Sequence, residues 1–230
     1  MSVPWPRAAA VIPAGGVGRR MGGVRKQYLE LGGRPVLWHA IRPFLDHPAI
    51  HWIVVALPAE DMATPPLFLP DGVTVVAGGE ERGDSVRLAL EAVPPAAELV
   101  LIHDAARPLV TRALVDRTLE AAAGGVGAVA AIPVPDTLKR VAGDRTIAAT
   151  VARAGLWAAQ TPQAFPRAMI VDAYARAAEE GVRETDDAAL VERYGGRVVV
   201  VEGSPRNLKV TTPEDLRIAA LLLGGVEAPR

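Results

Sequence analysis

Apolar runs of strand length alternate with helix-period segments through most of this 230-residue chain, and that alternation restricts the fold to parallel βαβ units. The spacing predicts strands over 8–12, 52–57, 73–77, 99–103, 127–134 and 197–203. Helices are expected over 36–46, 84–93, 112–123, 167–180, 186–194 and 213–223, with Pro43 ending or kinking the first. The last has a well-marked start: Thr212 at the N-cap, Pro213 at N1 and Asp215 at N3. The expectation is therefore one α/β domain over 1–230, doubly wound around a mostly parallel sheet. Residues 135–163 break the rhythm. Short strand-like pieces there flank the turn signal AGDRT, which predicts a protruding antiparallel β-arm. The alternative is an irregular surface loop, but a loop of this length without structure is uncommon unless it works or pairs with something, so the arm is read as a dimerising one.

Composition enters mainly by what it excludes. The formal net charge of -1 gives no global pull toward nucleic acid or a membrane surface, so any anion site must come from a local cluster. The chain has no cysteine, which removes disulfides and thiolate metal sites and fits a cytoplasmic location. The start of the sequence lacks a basic segment followed by a long apolar one, so no signal peptide is expected. The longest uncharged stretch, 121–135, is interrupted by glycine and proline and is too short to span a bilayer. One bias points to a site. Of the 25 lysines and arginines only Lys26, Lys139 and Lys209 are lysine, and a chain that prefers arginine elsewhere is expected to keep lysine where a compact, flexible ammonium is needed.

Three motifs fall at expected strand ends. After the first strand comes PAGGVGRRMGGVRKQYL, in which glycines let backbone N–H groups approach an anion while Arg19, Arg20, Arg25 and Lys26 neutralise it; the alternative is a basic solvated turn. It matches neither the dinucleotide fingerprint, since Met21 stands where a third glycine belongs, nor the P-loop, since Gln27 follows Lys26. After the third strand, GGEERGDSV offers Gly79 and Ser85 as small residues beside a flat base, with Asp84 or Ser85 as the N-cap of the next helix. After the fourth, HDAARP sets Asp104 at the carboxyl end of a central strand, followed by the small residue Ala105. Asp104 is either a ligand for Mg²⁺, with Arg107 fixing it or a phosphate, or one half of a structural ion pair with Arg107. His103 points the other way and reads as a packed histidine. Lys209 precedes the last helix, two residues after Asn207, the single asparagine. No cysteine nucleophile, GxSxG serine or histidine metal spacing is present, so the expected chemistry is one whose nucleophile is already an anion.

With these motifs in order the chain resembles the 2-C-methyl-D-erythritol 4-phosphate cytidylyltransferases. PAGGVGRRM, KQYL, GGEERGDSV, HDAARP, PVPDTLKR, TVARAGLWAAQTPQ, ETDDAALVE and VEGSPRNLKVTTPEDL follow the family's sequence over nearly the whole length. The resemblance implies a nucleotidyltransferase-like variant of the Rossmann sheet, CTP and methylerythritol phosphate as substrates, Mg²⁺, and a homodimer joined by β-arms. It assigns Arg20 and Lys26 to the transition state and Arg153 and Lys209 to positioning the polyol phosphate. Asp104, Arg107, Thr137 and Thr185 would assist in substrate binding, with Asp104 also holding Mg²⁺. Pro13, Ala14, Gly15, Gly16, Gly18, Gly79, Asp84, Ser85 and Ala105 would line the nucleotide pocket. Gly15 stands where the family often has alanine, and Arg206 where it often has an acidic residue, at the expected edge of the substrate pocket. Three other readings are a pentitol 5-phosphate cytidylyltransferase, a nonenzymatic CTP-binding regulator and a nicotinamide dehydrogenase, the last disfavoured by the missing third glycine.

Overall fold

The computed structural model describes residues 5–16 and 25–224. Strand β1 (Ala8–Pro13) is followed by the short pair β2 (Glu30–Leu31) and β3 (Arg34–Pro35), then α1 (Val36–Ile41), β4 (Ile50–Leu57), β5 (Val73–Ala77), α2 (Arg82–Glu91), β6 (Leu99–Ile102) and α3 (Arg112–Ala122). The second half runs β7 (Gly127–Pro133), β8 (Leu138–Val141), β9 (Ile147–Val151), β10 (Trp157–Pro166), α4 (Arg167–Glu180), α5 (Asp187–Arg193), β11 (Val198–Glu202) and α6 (Pro213–Leu223). Seven strands form the central sheet in the order β11-β7-β10-β6-β1-β4-β5.

Alternation along β1 shows why the sheet is covered on both faces. Ala8, Ala10 and Ile12 pack with Leu37, Ile41, Leu114 and Leu119 from α1 and α3. Ala9 and Val11 face Val86, Leu90, Ile170 and Tyr174 from α2 and α4. A strand buried on both sides has no polar face to spare, hence its unbroken apolar run. Helix α6 sits apart, with Ala219 packed beside Leu31, Val36 and Val210 in a smaller cluster.

Six strands of the sheet match the expected ones, and the seventh does not. β10 runs antiparallel between β7 and β6, with Trp157↔Pro133 at one end and Gln163↔Ile102 further along. The free hairpin is therefore β8–β9, paired Leu138↔Val151 to Val141↔Ile147, whereas 157–163 of the expected arm belong to the main sheet. Helix α2 also begins earlier than expected. Its N-cap is Glu81, whose side chain accepts from the Asp84 backbone while Asp84 Oδ2 accepts from Glu81 N–H at 3.1 Å, so Asp84 is the N3 member of a capping box and neither Asp84 nor Ser85 is the cap. Helix α1 stops at Ile41, and Pro43 lies in the 3₁₀ turn that follows.

Gly127 opens β7 where Phe165 of β10 crosses it. A Cβ there would lie 2.8 Å from Phe165 Cδ1 and 3.0 Å from Val198 Cγ2, and the Phe165 ring is fully buried. Gly127→Ala should lower unfolding stability in urea by about 1–3 kcal/mol through overpacking. An unchanged midpoint would mean that the β7–β10 seam has slack the packing does not show.

Candidate active site

The loops after β1, β5 and β6 converge because their strands are parallel and end on the same edge of the sheet, the place where open α/β sheets take ligands. Backbone bonds carry this alignment past the strand ends: Ala14 N–H donates to Ala56 O at 2.8 Å and His103 N–H to Val11 O at 2.9 Å. Buried Gln27 ties the glycine-rich loop at both sides of its start, donating through Nε2 to Ala14 O at 2.9 Å and Gly16 O at 3.3 Å. Ser85 holds the β5 loop, its Oγ accepting from Gly79 N–H at 3.1 Å and donating to Glu81 O. A Cβ on Gly15 would stand 2.9 Å from Ser85 Oγ, so in this chain glycine lets the two loops close on each other.

Two cavities, each about 250 Å³, meet at Asp104. The first is lined by Pro13, Ala14, Gly15, Gly16, Lys26, Ser85 and Ala105, which brings together most of the residues expected at a nucleotide. The second is lined by Arg107, Gln160, Thr161, Gln163, Thr185 and Asp186. Arg82, Asp104 and Lys209 line both and form the wall between them.

That wall is a charge cluster. Asp104 Oδ1 accepts from Arg82 Nε at 2.7 Å, and Asp104 Oδ2 lies 2.7 Å from Lys209 Nζ. Arg107 Nε stands off at 3.8 Å, while its Nη1 donates to Asn207 O at 2.7 Å. Burial alone would raise the Asp104 pKa, but the charges and hydrogen bonds of Arg82 and Lys209 outweigh it and hold the carboxyl well below the usual carboxylate range. The Asp104 backbone is fixed as well, its N–H donating to Thr161 Oγ1 at 3.0 Å. His103 is fully buried, with its ring between Thr161 Oγ1 and Arg107 O, and burial pushes its pKa down to about 4. It is a neutral packing group turned from the cavities, as expected.

Other candidates fall elsewhere. Arg20 and Gly18 lie outside the described residues. Asp84 faces a separate groove between α2 and α4 and does not line the first cavity. Thr137 and Arg153 are exposed at the base of the β8–β9 hairpin and line neither cavity beside Asp104. Lys139, raised by the lysine bias, is exposed and donates across the hairpin to Thr150 Oγ1 at 2.7 Å. Arg25 turns away from the loop to pair with Asp61 at 2.9 Å and with Glu60. Arg206 points away from the cavities and donates to Leu222 O at 2.9 Å, so its charge caps the end of α6. Arg82 in the wall and Asp187 behind it had no assigned role in the sequence and join across 105 positions, and Gln160, Thr161, Gln163 and Asp186 at the second cavity had none either. No local pattern could have paired Arg82 with Asp187.

Comparison with known proteins points to one family. The family model described as "IspD: 2-C-methyl-D-erythritol 4-phosphate cytidylyltransferase" matches residues 8–225. A 2-C-methyl-D-erythritol 4-phosphate cytidylyltransferase of Syntrophotalea carbinolica is 48% identical over 93% of this chain and 94% of its own length. One from Symbiobacterium thermophilum is 48% identical over 94% of this chain and 92% of its own. The crystal structure of the Thermus thermophilus enzyme of that name superposes with a TM-score of 0.78 at 37% identity, covering 94% of this chain and 98% of that one. A sheet that ends in two adjoining cavities, a family match over almost the whole chain and relatives matched over nearly their full length lead to one conclusion: the chain belongs to the 2-C-methyl-D-erythritol 4-phosphate cytidylyltransferase family.

Proposed function

We propose that this protein transfers the cytidylyl group of CTP to 2-C-methyl-D-erythritol 4-phosphate, giving 4-diphosphocytidyl-2-C-methyl-D-erythritol and pyrophosphate. The observation that carries this reading is the cationic wall shared by the two cavities, with Lys26 on one side and Lys209 at the junction. Two polyanions can meet only where their repulsion is screened, and such a junction supplies the screening at the point of reaction. The phosphate oxygen of the polyol attacks the α-phosphorus, and the bond from that phosphorus to the bridging oxygen of the β-phosphate breaks in line. A phosphate monoester is largely ionised at neutral pH, its second pKa being about 6, so no general base is needed. Neutral, buried His103 is consistent with that economy.

Lys26 and Arg20 stabilise charge developing at the α-phosphate, and Lys209 orients the attacking phosphate. Ala14, Gly15 and Ser85 line a slot suited to a pyrimidine, with Gly79 outside the lining and donating to Ser85 Oγ, and Thr185 at the second cavity fits a polyol hydroxyl. Asp104 keeps a free lone pair on each carboxylate oxygen beyond its bonds to Arg82 and Lys209. Among the described residues no cluster of three or more acidic or histidine side chains could hold a metal unaided. That donor set fits Mg²⁺ held by one carboxylate with substrate phosphates and water completing the shell. Mg²⁺ bound there would neutralise phosphate charge. Among the described residues no helix is long and apolar enough to cross a membrane, and the cysteine-free composition suits the cytoplasm.

The hairpin supports a homodimer. Val141, Ile147, Leu156 and Trp157 are exposed apolar residues on or beside it, and Thr137 and Arg153 lie at its base, outside their own subunit's cavities. In this reading the arm reaches across a two-fold axis and delivers Thr137 and Arg153 to the partner's site.

Two measurements check the proposal. With CTP and Mg²⁺, pyrophosphate release should be fast with methylerythritol phosphate, slow with ribitol 5-phosphate and absent with EDTA; preference for ribitol phosphate, or CTP binding without turnover, would refute it. For the arm, Lys26→Ala and Arg153→Ala variants are mixed under subunit exchange. Random exchange makes half the dimers mixed, each with one intact site, so roughly a quarter of wild-type activity should return. With exchange verified, no recovery would mean that the arm serves its own subunit.

A further inference from the structure

Behind the shared wall lies a fully buried carboxylate that borders neither cavity. Asp187, at the start of α5, accepts from Arg82 Nη1 at 3.0 Å and Nη2 at 2.7 Å, and from Tyr174 Oη at 2.6 Å. The same guanidinium gives its Nε to Asp104 at 2.7 Å, and Asp104 gives its other oxygen to Lys209 at 2.7 Å. A continuous chain of charged contacts thus runs from Tyr174 on α4 through Asp187, Arg82 and Asp104 to Lys209.

The orientation of Arg82 is the informative part. A guanidinium prefers to meet a carboxylate with two parallel N–H bonds. Asp187 takes one N–H from each of Nη1 and Nη2 and so fixes where the guanidinium lies; from that position Nε alone bonds Asp104, through Oδ1, while Asp104 Oδ2 meets Lys209. Without the Asp187 charge, Arg82 is free to turn its Nε/Nη edge onto Asp104, take both oxygens and displace the lysine ammonium. A pair that merely tied α2 to α5 would have no need to share its arginine with the site.

We infer that Asp187 is a positioning residue for the transfer reaction: by holding Arg82 end-on it reserves one oxygen of Asp104 for Lys209 and so fixes Lys209 at the junction of the two cavities. The part that concerns turnover rests on the function proposed for Lys209 above, whereas the geometric part does not.

With three lysines in the chain, a protein labelled with ¹⁵N-lysine gives three Nζ signals, assignable by single lysine-to-arginine changes. In Asp187→Asn the Lys209 signal should move while that of Lys139 stays. The kcat/KM for methylerythritol phosphate should fall about 10- to 100-fold, the scale of a lost charged hydrogen bond. The KM for CTP should change several-fold less, since Lys26 and the glycine-rich loop that line the first cavity make no contact with Asp187. Asp187→Glu should recover part of the loss. If Asp187→Asn does not fold, Tyr174→Phe, which removes one bond to the same carboxylate, should move the Lys209 signal in a smaller step. A Lys209 signal that stays in place in the folded variants overturns the positioning chain, as does an equal loss toward both substrates. A wild-type enzyme that fails to turn over overturns the functional reading instead, since the spectral shift needs no substrate.

Discussion

One buried carboxylate sets the terms for the site. Asp104 is 6% exposed and meets Arg82 and Lys209 at 2.7 Å each, with Arg107 behind them. A carboxylate so far from water survives ionised only where cations and hydrogen bonds replace its hydration, and removal of one partner would leave an uncompensated charge. The reverse dependence matters as much. Three cations brought this close repel one another, and Asp104 with Asp187 is what allows them to stand together at the edge of the sheet.

The topology supplies the support. Parallel β1, β4, β5 and β6 bring glycine-rich loops to one edge, which would suffice for a nucleotide site. The antiparallel strand β10 adds what a second substrate needs. Thr161 accepts from the Asp104 backbone, and Gln160 reaches Ser204 O at 2.9 Å, tying down the segment that carries Asn207 and Lys209. Asn207 in turn donates to Thr161 O at 2.8 Å. One strand thus fixes the acidic and the basic half of the junction, and the same strand begins at the foot of the hairpin. Site and arm are therefore mechanically continuous.

Local pattern carried most of the fold. The apolar run of β1 and the limits of α4 and α6 could be read from consecutive residues, and those helices begin and end where the spacing puts them. β10 escaped because its first three residues are exposed and its centre is the polar run QTPQ, so it has neither the apolar run of a buried strand nor clean alternation. Gln160, Thr161 and Gln163 are buried polar groups satisfied by partners from distant segments, which sequence alone cannot supply. The start of α2 escaped for a related reason: Glu81 is a less common cap than Asp84 or Ser85, and the capping box decides the matter. In the site, Asp104 and Lys209 were legible from strand-end position and lysine usage. Arg82 was one of many arginines until the fold set it between two carboxylates, and Lys139 marks the limit of the lysine argument.

The most direct test of this account is the ionisation of Asp104 itself. The measurement is an acid titration of protein carrying ¹³Cγ-labelled aspartate, in which a free aspartate side chain has its midpoint near about 4. The Asp104 signal, assigned by Asp104→Asn, should hold its ionised position throughout that range, to the acid limit at which the fold persists. An Asp104 midpoint close to that of a free side chain would mean that Arg82 and Lys209 do not cage it, and the shared wall on which both cavities depend would lose its basis.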